Sequence, residues 1–436
     1  MEDRKTFACL TLGCKVNQYE TNAVSQIFLE NNYIEKSFDE IADVYVVNTC
    51  TVTNMADRKS RQMLRKLKEK NKNAILVAIG CYAQVGKEQL EQMEEIDIVL
   101  GNNEKRDIVN FIKQYELEQK QISKVTEFSV EDDYLEFGNI THLENTRAVI
   151  KVQDGCNNFC TYCIIPFARG RIRSRDKDNV LTEIKKIAEK GIKEIVLAGI
   201  HLDSYGKEKK DNYYLIDLIE DIDKIVGIER IRLGSLEPNV ITEDFVNRIK
   251  KVTSICPHFH LSLQSGCDET LKRMNRKYTV SDIEKTVELL KSSFEDVNLT
   301  TDIIVGFPGE TEKEFESTYN FLEKIKLFKM HIFKYSKRNG TVASNMPNQV
   351  SGNIAELRSE KLIELSNINE KDILKQYLKK EVEVLFETKD DDDIWTGHTK
   401  NYILVKYASK ENLKNIKKNI KIISTESAYL RGTCEM

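Results

Sequence analysis

Three cysteines lie within eight residues of one another, at Cys156, Cys160 and Cys163, and we call them the loop cysteines. The spacing C-x3-C-x2-C brings three thiolates onto one short loop. There they can hold three irons of a four-iron cluster and leave the fourth iron open to a small molecule. A structural zinc site is the alternative, but it normally closes with a fourth Cys or His. None follows within twenty residues, so the sequence predicts an iron–sulfur cluster here.

Three further cysteines, Cys14, Cys50 and Cys81, recur at intervals of 36 and 31 positions, and we call them the strand-end cysteines. Each follows an apolar run that predicts a strand. Because ligands of a parallel sheet bind at the carboxyl ends of its strands, we expect these thiols to meet at one edge. They would suit a second cluster of the same kind. Taken singly, each is also a candidate core residue, which is how we interpret Cys9 inside the first strand.

Alternating apolar and amphipathic segments predict the elements that position the strand-end cysteines. Residues 1–116 read as an α/β domain with a parallel sheet covered by helices. The predicted strands are 7–12, 44–47, 74–79 and 96–100, and the predicted helices are near 18–31, 55–70 and 104–116. Residues 117–146 are polar and irregular and predict a linker with only a connecting role.

Residues 147–370 continue the alternation with six more strand–helix repeats. The strands are predicted at 148–152, 194–198, 230–233, 258–263, 299–305 and 329–335, and the helices at 178–190, 213–225, 241–251, 280–293 and 311–326. Six repeats are too few for a closed eight-stranded barrel. The loop cysteines follow the first of these strands, on the face where barrel sites are built.

Residues 371–436 change to short alternating strands after a helix at about 353–377. The strands are predicted at 381–386, 395–398, 402–407, 418–424 and near 429. This pattern predicts a compact five-stranded β-barrel.

The motifs around the cysteines resemble a known family. The loop cysteines have the spacing of radical S-adenosylmethionine (SAM) enzymes. The segments similar to the amino-terminal domain of the methylthiotransferases are 11–21, 48–53 and 80–84. Residues 15–21 resemble the MtaB branch, which modifies N6-threonylcarbamoyladenosine in tRNA, whereas related branches act on isopentenyladenosine in tRNA or on a ribosomal protein. Segments 395–397 and 401–405 resemble the TRAM domain, a module associated with RNA modification.

The resemblance implies a flavodoxin-like or Rossmann-like first domain, a partial TIM barrel and a small all-β barrel. It implies two 4Fe-4S clusters and SAM as cofactors. In the family, the cluster of the loop cysteines reduces SAM to a 5′-deoxyadenosyl radical. The cluster of the strand-end cysteines carries sulfur that a second SAM methylates before its insertion at carbon 2 of adenosine 37. That carbon has no acidic proton, so the C–S bond needs a radical route. The implied partners are the tRNA anticodon stem-loop and an electron donor such as flavodoxin or ferredoxin, and the sulfur source stays open.

Four candidate SAM contacts follow from the same resemblance. Tyr162 matches the aromatic position beside the adenine of SAM, and Gly199 lies in the segment that receives the methionine amino group. Gln264 and Gly306 stand in the segments that close the fourth and fifth barrel strands. Ordinary strand-to-helix turns are the alternative interpretation of the last three positions.

Basic residues give the candidate RNA contacts. Four arginines alternate in one segment, at Arg169, Arg171, Arg173 and Arg175. In an extended backbone they share one face, which favours contact with substrate phosphates. Lys417 and Lys418 lie near aromatic residues that we expect to be exposed and able to stack on bases. The basic helix at 55–70 is either simply solvated or a second phosphate-facing surface.

Composition sets the broad class. The chain has 436 residues, 40% hydrophobic and 31% charged, which predicts a soluble protein of two or three domains without a membrane segment. Ten cysteines without an export signal predict reduced thiols and a cytoplasmic location. A net charge of −4 neither requires nor excludes nucleic acid. An RNA-binding iron–sulfur protein without catalysis is the alternative from another functional class.

Overall fold

The computed structural model describes residues 4–142, 146–390 and 392–433, and it begins with a six-stranded parallel sheet. The strands are β1 (Thr6–Thr11), β2 (Ile34–Glu35), β3 (Val44–Thr49), β4 (Ile75–Gly80), β5 (Ile98–Leu100) and β6 (Ile122–Lys124), in the order β2-β1-β3-β4-β5-β6. The helices around them are α1 (Lys15–Glu30), α2 (Asn54–Lys70), α3 (Cys81–Val85), α4 (Lys87–Glu91) and α5 (Ile108–Glu118). β3 is buried along its whole length, as expected of a strand covered on both faces.

β6 lies within the segment predicted to be a linker and pairs with β5 at the edge of the first sheet. The rest of that segment, where it is described, wraps against the barrel. The Tyr134 hydroxyl donates to the Lys151 carbonyl at 2.9 Å, and Glu136 accepts from Arg175 at 2.6 Å. Residues 117–142 therefore do more than connect two domains. Residues 143–145 lie outside the described part of the chain.

The middle of the chain forms the open partial barrel. Its wall consists of two three-stranded parallel sheets, β11-β10-β7 and β12-β13-β14. The strands are β7 (Arg147–Lys151), β8 (Gln153–Asp154), β9 (Arg173–Ser174), β10 (Glu194–Ala198), β11 (Arg230–Leu233), β12 (His258–Gln264), β13 (Asn298–Val305) and β14 (Lys329–Lys334). The helices are α6 (Ile165–Arg169), α7 (Lys177–Glu189), α8 (Leu215–Asp223), α9 (Glu243–Ile249), α10 (Asp268–Arg273), α11 (Val280–Ser293) and α12 (Glu312–Ile325). Isolated bridges, Ile231 to Ile255 and Leu236 to Leu261, join the two halves.

Residues alternate between the two faces of this wall. Ile195, Leu197 and Ile231 belong to the large apolar core under the helices. Glu194 and Arg232, on the opposite face of the same strands, form an ion pair at 2.9 Å. A parallel wall with one polar face encloses a lumen that can accept a polar ligand.

The last part of the chain is a closed five-stranded barrel that follows the long helix α13 (Gly352–Lys375). Its strands are β15 (Glu381–Lys389), β16 (Ile394–Thr399), β17 (Leu404–Ala408), β18 (Lys417–Thr425) and β19 (Leu430–Thr433). The five-stranded barrel and the open six-strand barrel were both predicted and are confirmed. Among the described residues, no helix is long and apolar enough to cross a bilayer.

The turn between β16 and β17 closes the lumen from the amino-terminal end of its strands. The Tyr402 ring lies 4.9 Å from the ring of His258 and 4.4 Å from the guanidinium of Arg232. Tyr402 has a φ of +71°, a conformation that a bulky residue adopts only when its surroundings hold it there. The floor of the barrel is thus supplied by the terminal domain.

Candidate metal centres at the mouth of the barrel

The loop cysteines lie directly after β8, at the carboxyl-end mouth of the barrel. Gly155 begins the loop with a φ of +71°, and a Cβ there would lie 1.8 Å from the Arg171 carbonyl oxygen, so only glycine fits. The backbone N–H of Cys156 donates to the Gly170 carbonyl at 3.1 Å, and that of Thr161 donates to the Met274 carbonyl at 3.1 Å. These bonds fix the loop from two sides.

The thiols of the loop are surrounded by protein. Burial raises the pKa of Cys156 to about 11 and that of Cys163 to about 12, and the neighbouring Cys160 thiol adds to both shifts. The guanidinium of Arg276 donates to Cys160 Sγ at 3.2 Å. Metal binding displaces thiol protons, and a nearby guanidinium stabilises the negative charge that results.

The structure places the strand-end cysteines at one edge of the first sheet. Cys14 precedes α1, Cys50 follows β3 and Cys81 follows β4. Gly13 has a φ of +104°, and a Cβ there would lie 2.9 Å from Cys50 Sγ, which shows how closely the Cys14 turn approaches Cys50. The pKa of Cys50 is raised to about 11, mainly by burial, and the Cys81 and Cys14 thiols contribute to the rise.

Arg169 lies beside this second centre. Its Nε donates to Cys81 Sγ at 3.2 Å, and its terminal nitrogens bind Glu20 at 2.7 Å and Asp154 at 3.2 Å. Lys105 and Lys151 also bind Glu20. The three cations outnumber the two carboxylates, so a positive excess lies beside Cys81.

The donor sets fit two iron–sulfur clusters. Each site brings three thiols together, and each has one guanidinium 3.2 Å from a cysteine sulfur. Cluster sulfides and thiolates carry negative charge, and hydrogen bonds to sulfur stabilise it. The loop cysteines would hold one cluster and the strand-end cysteines the other.

The prediction that four alternating arginines share one RNA-facing surface is wrong for three of them. Arg169 and Arg175 are fully buried and Arg173 is 7% exposed. The segment is not extended throughout, because α6 ends at Arg169 and Gly170 turns the chain with a φ of +70°. Only Arg171 is exposed, and its guanidinium lies 4.5 Å from the Phe159 ring.

The two buried arginines beyond α6 pair with carboxylates of this chain. Arg175 binds Glu183 and Glu136, each at 2.6 Å. Arg173 lies 3.8 Å from Asp132. Their charges join the segment 132–136 to the barrel and do not face solvent.

The structure also gives Lys417 a different role from the predicted RNA contact. Its amine pairs with Glu229 of the large barrel and with Glu383, the latter at 3.2 Å, so it joins two domains. Lys418 lies 3.3 Å from Glu411. The nearby rings of Trp395 and Tyr407 are buried, and so they cannot stack on bases as expected.

The four predicted SAM contacts all lie near the carboxyl-end mouth. Tyr162 packs edge-on against Phe307, with ring centroids 6.3 Å apart, and Gln264 has a φ of +67°. A Cβ at Gly199 would lie 2.9 Å from Gln153 Oε1, and one at Gly306 would lie 2.7 Å from the Cβ of Ala355. Packing within the chain thus accounts for both glycines, and their contact with SAM stays a prediction.

A polar cluster beside the loop cysteines was missed in the sequence. Asn158 Nδ2 donates to Glu237 Oε1 at 2.7 Å and lies 3.1 Å from His201 Nε2. Arg276, which binds Cys160, lies 2.8 Å from the same Glu237 oxygen. Glu237 follows β11, so the strand-end rule applied to the cysteines could also have found it.

A cavity of about 380 Å³ lies between the first turn of α1, the inner face of β7 and β10, and the terminal barrel. Its charged lining residues are Lys15, Arg147, Arg232, Glu387 and Lys414. Desolvation, together with the nearby Arg232 and Arg147 charges, lowers the pKa of Lys15, although Tyr402 and Glu194 act in the other direction.

A three-thiol loop at the mouth of an open parallel (βα) barrel defines a radical SAM enzyme. The Radical SAM superfamily model matches residues 150–322, and the model for Uncharacterized protein family UPF0004 matches residues 6–101. The structure of the radical SAM methyltransferase TsrM from Kitasatospora setae is similar in fold, with a TM-score of 0.54 and 14% identity over 76% of this chain and 73% of that one.

Relatives that match nearly the whole chain identify the family within the radical SAM enzymes. The chain is 39% identical to the threonylcarbamoyladenosine tRNA methylthiotransferase MtaB of Bacillus subtilis, over 98% of this chain and 96% of that protein. It is 34% identical to the tRNA-2-methylthio-N(6)-dimethylallyladenosine synthase of Clostridium perfringens, over 99% and 98%. This chain belongs to the radical SAM methylthiotransferase family.

Proposed function

We propose that this protein is a tRNA methylthiotransferase that converts N6-threonylcarbamoyladenosine at position 37 into its 2-methylthio derivative. The observation that carries the proposal is the presence of two three-cysteine centres on either side of one buried ionic network. Arg169 binds Cys81 of one centre and Asp154, which lies two residues before Cys156 of the other. A protein that needed only a radical would not require the second centre.

The chain's residues have separable tasks in this function. The proposed cofactors, two 4Fe-4S clusters and SAM, supply the radical, the sulfur and the methyl group when bound. The loop cysteines and Arg276 hold the first cluster, and the strand-end cysteines and Arg169 hold the second. Tyr162, Gly199, Gln264 and Gly306 are the proposed SAM contacts. The terminal barrel closes the lumen from below, which limits water at the reacting carbon.

Two features favour threonylcarbamoyladenosine over isopentenyladenosine. Similar relatives named for threonylcarbamoyladenosine are 37–39% identical, whereas those named for dimethylallyladenosine are 34–35% identical. Residues 15–21 also match the pattern of the first group. An electron donor such as flavodoxin or ferredoxin, and the cytoplasm as the compartment of the tRNA, complete the proposal, while the sulfur source is left open.

Nucleosides from a deletion strain test the substrate. Loss of the 2-methylthio-threonylcarbamoyl nucleoside from bulk tRNA is expected. Its persistence, with loss of the 2-methylthio-isopentenyl nucleoside, would show that the protein acts on isopentenyladenosine instead. Reconstituted protein that binds tRNA but never cleaves SAM under reducing conditions would instead support the non-catalytic alternative.

Cysteine variants test the division between the two centres. Cys160→Ala is expected to abolish SAM cleavage, whereas Cys50→Ala is expected to retain cleavage and lose thiolation. Reconstituted parent protein should hold about eight irons per chain, and each variant about four. Cys9→Ala, in β1 and outside both centres, is the matched control. Thiolation by Cys50→Ala would contradict the proposal.

A further inference from the structure

The cavity below the mouth contains more positive than negative charge. Of its four cations, Arg147 lies 2.9 Å from Glu387 and Arg232 lies 2.9 Å from Glu194. Within the described ranges of the chain, neither Lys15 nor Lys414 has a carboxylate oxygen within 4.0 Å of its amine. Two lysines of the lining therefore lack a counterion.

Lys15 is the lysine tied to the sulfur-carrying centre. It follows Cys14 directly and is the first residue of α1, so its backbone is fixed by the turn that presents Cys14. Its side chain is accessible to water and lines the cavity together with Gln18, one turn further along the helix. Lys414 comes from the terminal barrel, on the loop between β17 and β18.

The rest of the lining favours an anionic ligand beside Lys15. Val149 and Val196 form an apolar wall, and Tyr402 and Thr388 complete the floor. A cation against apolar atoms and other cations is less stable than one in bulk water, and a bound anion restores that loss. The volume of about 380 Å³ lies in the range of small-molecule sites.

We propose that Lys15 binds the carboxylate of the threonylcarbamoyl group on the substrate adenosine and thereby selects this nucleoside over uncharged N6-substituted ones. The inference rests on the function proposed above. Carbon 2 and carbon 6 of adenine both adjoin N1, so when carbon 2 faces the strand-end cysteines, a long N6 substituent that lies along the N1 edge can reach the lysine next to Cys14. An isopentenyl group in the same place would leave the Lys15 amine unpaired, and such a site rejects a ligand that lacks the expected partner.

The test compares three anticodon stem-loop RNAs that differ only at adenosine 37: N6-threonylcarbamoyladenosine, its carboxylate methyl ester and isopentenyladenosine. Each RNA is titrated into reconstituted full-length protein, and Kd is measured by fluorescence anisotropy without turnover. The variants are K15Q, K15R and, as a charge-matched control on the exposed face of α7, K186Q. All preparations are matched for iron content, because Lys15 adjoins Cys14.

We expect K15Q to raise Kd for the threonylcarbamoyl RNA by about tenfold or more, the usual cost of losing a charge-assisted hydrogen bond. Kd for the ester RNA and the isopentenyl RNA should not rise in K15Q and should fall relative to the parent protein, because the variant has no lysine charge to leave unpaired. K15R should recover most of the lost affinity, and K186Q should match the parent. KM should follow Kd for each RNA.

Equal weakening of all three RNAs by K15Q would overturn the proposal, because Lys15 would then contact a shared phosphate. No weakening of any RNA would overturn it as well. The underlying function is checked separately, by conversion of the threonylcarbamoyl RNA to its 2-methylthio product by the parent protein. If the parent protein is active but K15Q has no selective effect, only the proposed role of Lys15 is wrong. If the parent protein is inactive, the proposed function itself is wrong.

Discussion

Arg169 Nε lies 3.2 Å from Cys81 Sγ, and the same guanidinium binds Asp154, which stands two residues before Cys156. One buried side chain therefore contacts a strand-end cysteine and the strand that leads into the loop cysteines. Cys81 and Arg169 belong to different domains and are 88 positions apart in the sequence. Arg169 is fully buried in the ionic network that links these two domains.

Arg169→Gln should destabilise the fold and the second centre together. It leaves Glu20 and Asp154 with fewer cations in a buried site, which typically costs about 3 to 5 kcal/mol of unfolding free energy. Iron per chain should fall toward the value of Cys50→Ala, while SAM cleavage by the loop centre is retained in the folded fraction. Urea unfolding and iron analysis measure both effects. Arg171→Gln, exposed in the same segment, is the control and should match the parent in both assays.

Arg276→Gln should make the loop centre harder to reduce. Arg276 donates to Cys160 Sγ at 3.2 Å, and the loss of a nearby positive charge disfavours the more negative, reduced state. An EPR-monitored redox titration in the Cys50→Ala background, which retains only this centre, should show a lower potential. Arg273→Gln is the control, because Arg273 binds Glu314 at 2.8 Å and makes no hydrogen bond to a cysteine sulfur within the described part of the chain. An unchanged potential for Arg276→Gln would show that this hydrogen bond does not affect reduction.

His258 should make the protein sensitive to mild acid. Burial, with the nearby Arg232 charge, lowers the pKa of His258 well below its usual 6.5, so the folded state keeps it neutral. The unfolded chain takes up a proton below about pH 6.5 that the folded chain does not, and stability therefore falls as pH drops below that value. The slope from this group is at most about 1.4 kcal/mol per pH unit. Urea unfolding between pH 5 and 7.5 should show a smaller slope for His258→Gln, and an identical slope would refute the assignment.

Tyr402→Ala should loosen the terminal barrel from the large barrel. The ring contacts His258 and His398 and lies under the guanidiniums of Arg147 and Arg232. Cation–π and ring contacts of this kind contribute about 2 kcal/mol together. A lower thermal midpoint and faster proteolysis between α13 and β15 are expected. Tyr429→Ala is the control: this ring belongs to the same barrel and lies 4.4 Å from the Lys406 amine, so its loss should change neither measurement.

The positions of the six cysteines could be predicted because they depend on local pattern. Strand ends are visible in the apolar runs, and parallel strands bring their carboxyl ends to one edge. The partners of those cysteines could not be predicted in this way. Arg169 reaches Glu20 across 149 residues of chain, and no local pattern records that contact.

The arginine segment shows why the remaining site predictions failed. The alternation of arginines suggested an extended strand, but α6 and the positive φ of Gly170 break it, and buried carboxylates take up three of the charges. The same limit applies to Lys417, whose partner Glu229 belongs to another domain. Long-range neutralisation decides whether a basic residue faces solvent, and sequence spacing does not show it.

The floor of the lumen and its walls come from different parts of the chain, since Tyr402 and Thr388 belong to the terminal barrel and Val149 and Val196 to the large one. The depth of the cavity is thus set by the terminal barrel, whereas the cysteines belong to the other two domains. Exchange of the 399–403 turn between relatives should change which length of N6 substituent is accommodated and leave every cysteine in place. Substrate range in such a protein can diverge without any change in its chemistry.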